Sequence, residues 1–115
     1  SMTDTKKDGA KRPCVYMLRC KGGALYTGWT NNFEKRLAAH QSGKGAKYTR
    51  SHLPVKPAYL EHLPDKITAT RREAEIKKLT AEKKRQLVES ESNELCRRSG
   101  RLMNNSKPST NEEQK

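Results

Sequence analysis

The chain is poor in aromatic residues, with one Trp, four Tyr and one Phe among 115 residues, all between Tyr16 and Tyr59. A core must therefore form within that interval plus whatever helix follows it, and the length supports one domain. Long apolar runs are missing too. Nothing approaches the roughly 20 residues of a membrane span, and the N-terminus carries charges where a signal peptide would place its apolar segment. These absences lead us to expect an intracellular, cytoplasmic protein with no membrane partner. Ser1-Met2 reads as an expression scar ahead of the native start. Cysteine is limited to Cys14, Cys20 and Cys96, an odd number without CxxC spacing. That speaks against a disulfide framework and against a zinc site, so we read three free thiols. Acidic residues are the last deficit, since 13 Asp/Glu face 25 Lys/Arg and leave a net charge of +12.

That charge is the first functional signal, because basic domains of this size commonly meet a polyanion. Residues 14–88 hold 16 Lys/Arg against 6 Asp/Glu, whereas the rest of the chain holds 9 against 7. A basic tail would suggest a non-specific anchor, but a basic folded part suggests a shaped surface for phosphates. A merely solvated lysine-rich surface is the alternative. Residues 1–13, with Lys6, Lys7, Asp8, Gly9, Lys11 and Arg12, offer little to bury. From about Ser90 the Ser, Asn, Glu and Arg-rich composition says the same. We therefore expect disordered tails at 1–13 and 90–115 around a domain at 14–89.

Residues 14–20 (CVYMLRC) and 24–30 (ALYTGWT) are short and rich in β-branched and aromatic residues, and Lys21-Gly22-Gly23 between them is turn chemistry. A β-hairpin follows. Asn31 with Glu34 three residues later forms a capping-box pattern that opens a helix through about Gln41, ended by Ser42-Gly43. The stretch from Gly43 to Pro54 lacks periodicity and reads as a loop. Residues 55–62 (VKPAYLEH) suit a third strand, with Pro57 placing it at an edge or near its start. From about Thr68 to Leu79 a helical pattern sets Ala69, Ile76 and Leu79 on one side, and Thr80 can cap a further helix reaching about Glu89. The order β-β-α-β-α-α predicts a small α+β fold, a three-stranded and mainly antiparallel sheet flanked by helices.

The spacing of Tyr16 and Tyr26, one on each strand of the hairpin, makes their relative orientation a question of loop parity. With a three-residue loop at Lys21-Gly22-Gly23, Cys20 opposes Ala24, Leu18 opposes Tyr26 and Tyr16 opposes Gly28. Both tyrosines then point to one face as diagonal neighbours, with open space at Gly28. A two-residue loop would separate them. On the following helix, Arg36 and His40 are four apart and share a surface beside the Phe33 and Leu37 stripe. Arg36 can reach the edge of the sheet or snorkel over the core, and His40 can instead meet the last carbonyls of its helix. Glu73 falls four residues after Ala69 and three before Ile76, inside the stripe that faces the protein, while Glu75 is rotated away. An inward carboxylate needs a cation or hydrogen bonds, which makes Glu73 a candidate metal ligand. A capping box of Thr70 and Glu73 is the alternative. In the Gly-bearing loop, Lys44, Lys47 and Arg50 can track a phosphate backbone and Tyr48 can stack on a splayed base. Lys77, Lys78, Lys83, Lys84 and Arg85 extend that track or are simply solvated.

Cys14-Val15-Tyr16 followed by Tyr26-Thr27-Gly28 resembles the paired GIY and YIG segments of the GIY-YIG nucleases. Asn31 to His40 (NNFEKRLAAH) resembles the family's arginine helix, and Thr70 to Leu79 (TRREAEIKKL) its glutamate helix. The resemblance spans roughly residues 14–89 and is strongest to the short single-domain bacterial UPF0213 branch, where a segment like Ser42 to Arg50 also occurs. Cys14 departs from the family's first glycine. The resemblance implies a divalent-metal-dependent endonuclease acting on DNA, in repair or processing, with one Mg²⁺ or Mn²⁺ held by Glu73. It implies that Tyr16 acts as general base, that Tyr26 positions water or phosphate, and that His40 assists proton transfer. Because a free tyrosine titrates near about 10, the expectation is that Arg36 favours the Tyr16 phenolate as well as clamping phosphate. Relatives with defined substrates usually carry a second DNA-reading domain, so a protein partner is a further implication. A nucleic-acid-binding module that does not cleave is the competing reading.

Overall fold

The computed structural model describes residues 12–98. Strands β1 (Cys14–Arg19) and β2 (Leu25–Thr30) form the hairpin, and β3 (Lys56–His62) returns to the other side of β1. The sheet order is β2-β1-β3 and both pairings are antiparallel. β1 is therefore the central strand, and its residues from Cys14 to Leu18 are all buried. Covered on both faces, such a strand reads as a continuous apolar run instead of an alternation. Pro57 lies near the start of the edge strand β3, as its missing N–H demands. The β1–β3 register slips between Met17 and Leu18, which face Tyr59 and Pro57, leaving Ala58 as a bulge residue.

Among the described residues, five helices follow or interrupt the strands: α1 (Phe33–Gln41), α2 (Lys47–Arg50), α3 (Lys66–Lys77), α4 (Ala81–Val88) and α5 (Glu94–Arg98). Side chains of alternating parity on β1 feed two apolar clusters. Cys14, Tyr16, Leu18 and Cys20 pack with Val55 and Leu60 against Phe33 and Leu37 of α1 and Leu95 of α5. On the other face Val15, Met17 and Tyr59 pack with Ile76 of α3, Leu79, and Leu87 and Val88 of α4. The result is an α+β fold in which helices cover both faces of a three-stranded antiparallel sheet.

Several sequence expectations need correction. Helix α1 is capped by Asn32, whose side chain accepts from Lys35 N–H, one residue later than the Asn31–Glu34 pattern. Asn31 is displaced because the Asn32 N–H is taken by the Thr30 hydroxyl at 3.1 Å, which bends the chain first. Helix α3 starts earlier than predicted, with Asp65 accepting from Thr68 N–H. That start removes the Thr70–Glu73 capping box, since Thr70 lies inside the helix and its hydroxyl donates to Ile67 C=O. The stretch predicted as a loop contains the short helix α2, a turn too brief to generate periodicity. Thr80 caps α4 as expected.

The largest correction concerns the predicted C-terminal tail from residue 90, of which residues 99–115 lie outside the described residues, as do 1–11 of the predicted N-terminal tail. Within the described part, Asn93 is fully buried and α5 packs on β3. Asn93 Oδ1 accepts from Leu60 N–H and Leu95 N–H, and its Nδ2 donates to the carbonyls of Ala58 and Val88. Glu94 accepts from His62 N–H at 2.7 Å and pairs with the His62 ring at 2.9 Å. Polar composition argued for disorder here, but these polar groups serve as the hydrogen-bond partners of the open edge of β3.

Candidate active site

The hairpin register decides where the tyrosines point. Gly22 and Gly23, both with positive φ of 93° and 98°, shape the turn after Lys21, and Cys20 N–H donates to Ala24 C=O at 2.9 Å. Tyr16 then opposes Gly28 and Leu18 opposes Tyr26, the three-residue register that sets both tyrosines on one face. That face is covered by α1, which brings His40 between them. Tyr16 Oη and His40 Nε2 are 2.9 Å apart, and the His40 ring lies 5.8 Å from the Tyr16 centroid and 5.4 Å from that of Tyr26. Phe33 closes another side of Tyr16 at 5.8 Å.

His40 is fully buried and does not cap its helix. Its second ring nitrogen, Nδ1, is 2.8 Å from Thr49 Oγ1 on α2, and Thr49 is also fully buried. Burial, and then the neighbouring Arg36, lowers the His40 pKa below its ordinary value of 6.5. The ring is accordingly neutral near pH 7. Burial likewise pushes the Tyr16 hydroxyl up to about 12, although Arg36 beside it favours the ionised form. The expectation that Arg36 favours the Tyr16 phenolate therefore meets a larger opposing effect, burial. At a pKa of about 12 only about 10⁻⁵ of a tyrosine is ionised at pH 7. A hydroxyl of this kind acts as a base only if its own proton has somewhere to go, and His40 Nε2 is placed to take it.

Two glycines make this packing feasible. A Cβ added at Gly28 would lie 2.6 Å from Tyr16 Oη and 2.8 Å from its Cζ. The Tyr16 ring cannot swing away freely, being held by Phe33 and His40. Gly28→Ala is therefore expected to displace the hydroxyl from His40 and to destabilise the fold by about 1–3 kcal/mol, measurable as a lowered denaturation midpoint. A Cβ at Gly45 would press on His40 Nδ1 and fall 2.9 Å from its Cα, so the loop between α1 and α2 can lie over the histidine only with glycine there.

The remaining predicted residues are distributed around this centre. Arg36 projects from α1 one turn before His40, half-buried, beside Tyr16. Tyr48 is 41% exposed, and its ring runs parallel to Tyr26 at 6.3 Å and to His52 at 3.9 Å. Lys44, Lys47 and Arg50 are exposed on the same segment. Glu73 sits on α3, half-buried and paired with Lys77 at 3.3 Å, while Glu75 is exposed and paired with Arg72. No hydrogen bond or ion pair among the described residues links Glu73 to the tyrosine–histidine cluster, and its carboxylate pairs with Lys77 instead. Nor do three or more His, Cys, Asp or Glu side chains converge anywhere in the described residues. A divalent ion at Glu73 would thus rest on a single carboxylate. Such a donor set suits a hard ion like Mg²⁺, which keeps its waters and binds through one or two carboxylates plus phosphate; it does not suit a closed zinc cage. No helix among the described residues is long and apolar enough to cross a membrane.

Thr49, Gly45 and His52 also belong to this site, and no pattern in the sequence points to them. Thr49 carried no signal of its own, being an unremarked residue inside a basic loop, although a threonine nine residues after a histidine becomes meaningful once α2 folds back.

Comparison with known proteins bears on the family and the fold. The family model described as the GIY-YIG catalytic domain matches residues 12–86. The UPF0213 protein of Clostridium perfringens is 56% identical over 78 residues, covering 68% of this chain and 84% of that protein. The UPF0213 protein of Natronomonas pharaonis is 48% identical over 77 residues, covering 67% and 91%. Among solved structures, a protein from E. faecalis superposes with a TM-score of 0.51 at 39% identity, covering 71% of this chain and 88% of that one. The UPF0213 protein of Bacillus halodurans gives a TM-score of 0.49 at 40% identity, covering 87% and 99%. By the family-model match over residues 12–86 and by relatives 56% and 48% identical over most of their own length, this chain belongs to the GIY-YIG domain family, a nuclease superfamily, and within it to the UPF0213 proteins.

Proposed function

We propose that the domain is an endonuclease that hydrolyses phosphodiester bonds in DNA, with one divalent ion, Mg²⁺ or Mn²⁺, held at Glu73, and that it serves DNA repair or processing. The observation that carries this reading is the buried Tyr16–His40 hydrogen bond at 2.9 Å with Arg36 alongside. Attack on a phosphodiester needs a proton acceptor for water, charge stabilisation on the phosphoryl oxygens and help for the departing oxygen. Tyr16 accepts the water proton as its own passes to His40. Arg36 clamps a non-bridging oxygen, and Tyr26 orients water or phosphate. When bound, the divalent ion supplies charge neutralisation and eases departure of the leaving oxygen. Lys44, Lys47 and Arg50 hold flanking phosphates, and Tyr48 offers a stacking face to an unpaired base.

A second reading, a nucleic-acid-binding module that does not cleave, is favoured by one observation: the Glu73 carboxylate is paired with Lys77 and has no hydrogen bond to the tyrosine–histidine cluster. One assay separates the two. Purified protein is incubated with Mg²⁺ or Mn²⁺ and duplex, flap, single-stranded and damaged DNA and RNA, alongside Glu73→Gln. The nuclease reading expects cleavage that chelator abolishes and that Glu73→Gln slows by about 100-fold or more. Tight binding without cleavage under every condition would leave the binding module. Either reading expects salt sensitivity. With four phosphate contacts from Arg36, Lys44, Lys47 and Arg50, affinity for duplex falls by roughly 100-fold between about 50 and 200 mM salt.

A further inference from the structure

We propose that Thr49 is a positioning residue that holds His40 in the Nδ1–H tautomer, so that Nε2 presents its lone pair to the Tyr16 hydroxyl. The catalytic consequence rests on the nuclease reading, whereas the tautomer itself does not.

The inference comes from following hydrogens through a buried chain. Thr49 Oγ1 lies 2.9 Å from Ala46 C=O and 2.8 Å from His40 Nδ1. A hydroxyl has one hydrogen, and a carbonyl can only accept. If Thr49 donates to Ala46 C=O, the contact to Nδ1 needs the hydrogen on the ring. Nδ1 is then protonated, Nε2 is bare, and Tyr16 donates to it across 2.9 Å. Every hydrogen in the chain finds an acceptor.

The reversed chain fails at its far end. Were Thr49 to donate to Nδ1, Nε2–H would donate to Tyr16 Oη. Ala46 C=O would lose little, because Arg50 N–H also donates to it at 3.0 Å. The Tyr16 hydrogen, however, would have no described acceptor in a site where Tyr16 is 2% exposed. Its other polar neighbours are the guanidinium of Arg36, which has only donors, and Tyr26, with which it forms no hydrogen bond. A buried hydroxyl hydrogen without an acceptor costs about 1–3 kcal/mol, enough to decide between two otherwise equivalent tautomers. Arg36 and Thr49 thus act from opposite ends of the chain, and both orient the Tyr16 hydrogen toward His40.

Gly45 gives the arrangement its second constraint. The backbone at Gly45 lies against His40 Nδ1 and Cα, so the ring cannot rotate to exchange its nitrogens without meeting the loop. Thr49 stands on α2, whose turn returns the chain to His40 nine residues on. A valine at 49 keeps the shape of the threonine but offers no acceptor.

The test uses the full chain labelled with ¹⁵N, in which long-range ¹H–¹⁵N correlations report which His40 nitrogen is protonated. The wild type is expected in the Nδ1–H form, Thr49→Val shifted toward Nε2–H, and Thr49→Ser returned to Nδ1–H. Under the nuclease reading kcat of Thr49→Val falls by roughly 10²–10⁴-fold at unchanged KM, the range between a misplaced group and a histidine in the wrong tautomer, and Thr49→Ser recovers it. An Nε2–H wild type overturns the proposal even if no variant can be purified. So does a Thr49→Val protein whose His40 keeps its tautomer, or one that cleaves at the wild-type rate. A wild type that cleaves nothing counts against the nuclease reading alone, and the correlations still decide this one.

Discussion

Tyr16→Phe is expected to lower cleavage by ~10³-fold, within the range that loss of a general base produces, while nucleic-acid affinity and KM stay close to wild type. The phenyl ring keeps the packing against Phe33 and His40; what disappears is the oxygen that bonds His40. Single-turnover cleavage beside an equilibrium binding titration makes the separation visible. Equal loss of both would show that the variant has lost its fold or its substrate surface. The pH dependence sharpens the expectation. Under the nuclease reading proton transfer needs neutral His40, whose pKa lies below 6.5 because burial disfavours the charged ring. Wild-type cleavage is therefore expected to persist as pH falls through 6.5 and to fail only further into acid. Stability moves in the same direction. With the folded pKa depressed below the unfolded value of about 6.5, the unfolded chain takes up the proton first, so the contribution of His40 is fully present above that pH and is lost as pH falls beneath it.

Asn93→Ala is expected to be the most destabilising single change, by about 3 kcal/mol or more, since each buried group left unpaired costs about 1–3 kcal/mol. The amide of Asn93 serves the N–H groups of Leu60 and Leu95 and the carbonyls of Ala58 and Val88. No other residue type can donate twice and accept twice from that position in the same plane. Asp at 93 retains the acceptor side alone and places a charge in a fully buried site, so Asn93→Asp should fare no better. Urea titration of the three proteins measures the effect as a shift of the midpoint at constant slope. A change below about 1 kcal/mol would mean that β3 is held by its apolar face and that the amide is dispensable.

Much of the fold could be read before the structure was known because it is specified by local chemistry. Lys21-Gly22-Gly23 allows few turns, and loop parity alone then aligns Tyr16 with Tyr26. Helical spacing separated Glu73 from Glu75, and the two differ in burial as that spacing requires. The features that escaped are contacts between distant segments. Asn93 looks like any polar tail residue until β3 is beside it. Thr49 and Gly45 owe their roles to α2 folding against α1, which no periodicity announces. The choice of Asn32 over Asn31 as a cap was settled by Thr30, a strand residue that captures a backbone N–H first. Arg36 and His40 share a helix face by spacing, and both lie beside Tyr16, yet the balance of burial against charge at Tyr16 is a property of the packed site.

The loop between α1 and β3 divides its work residue by residue. Gly45 and Thr49 face inward onto His40, whereas Lys44, Lys47, Tyr48 and Arg50 face outward. Under the proposed function, substrate preference and proton handling are therefore written in one strip of sequence, interleaved instead of adjacent. Grafting a relative's loop wholesale to redirect this domain to another nucleic acid would rewrite both at once. An engineer, or natural selection, can vary the outward positions freely only while the inward pair stays fixed.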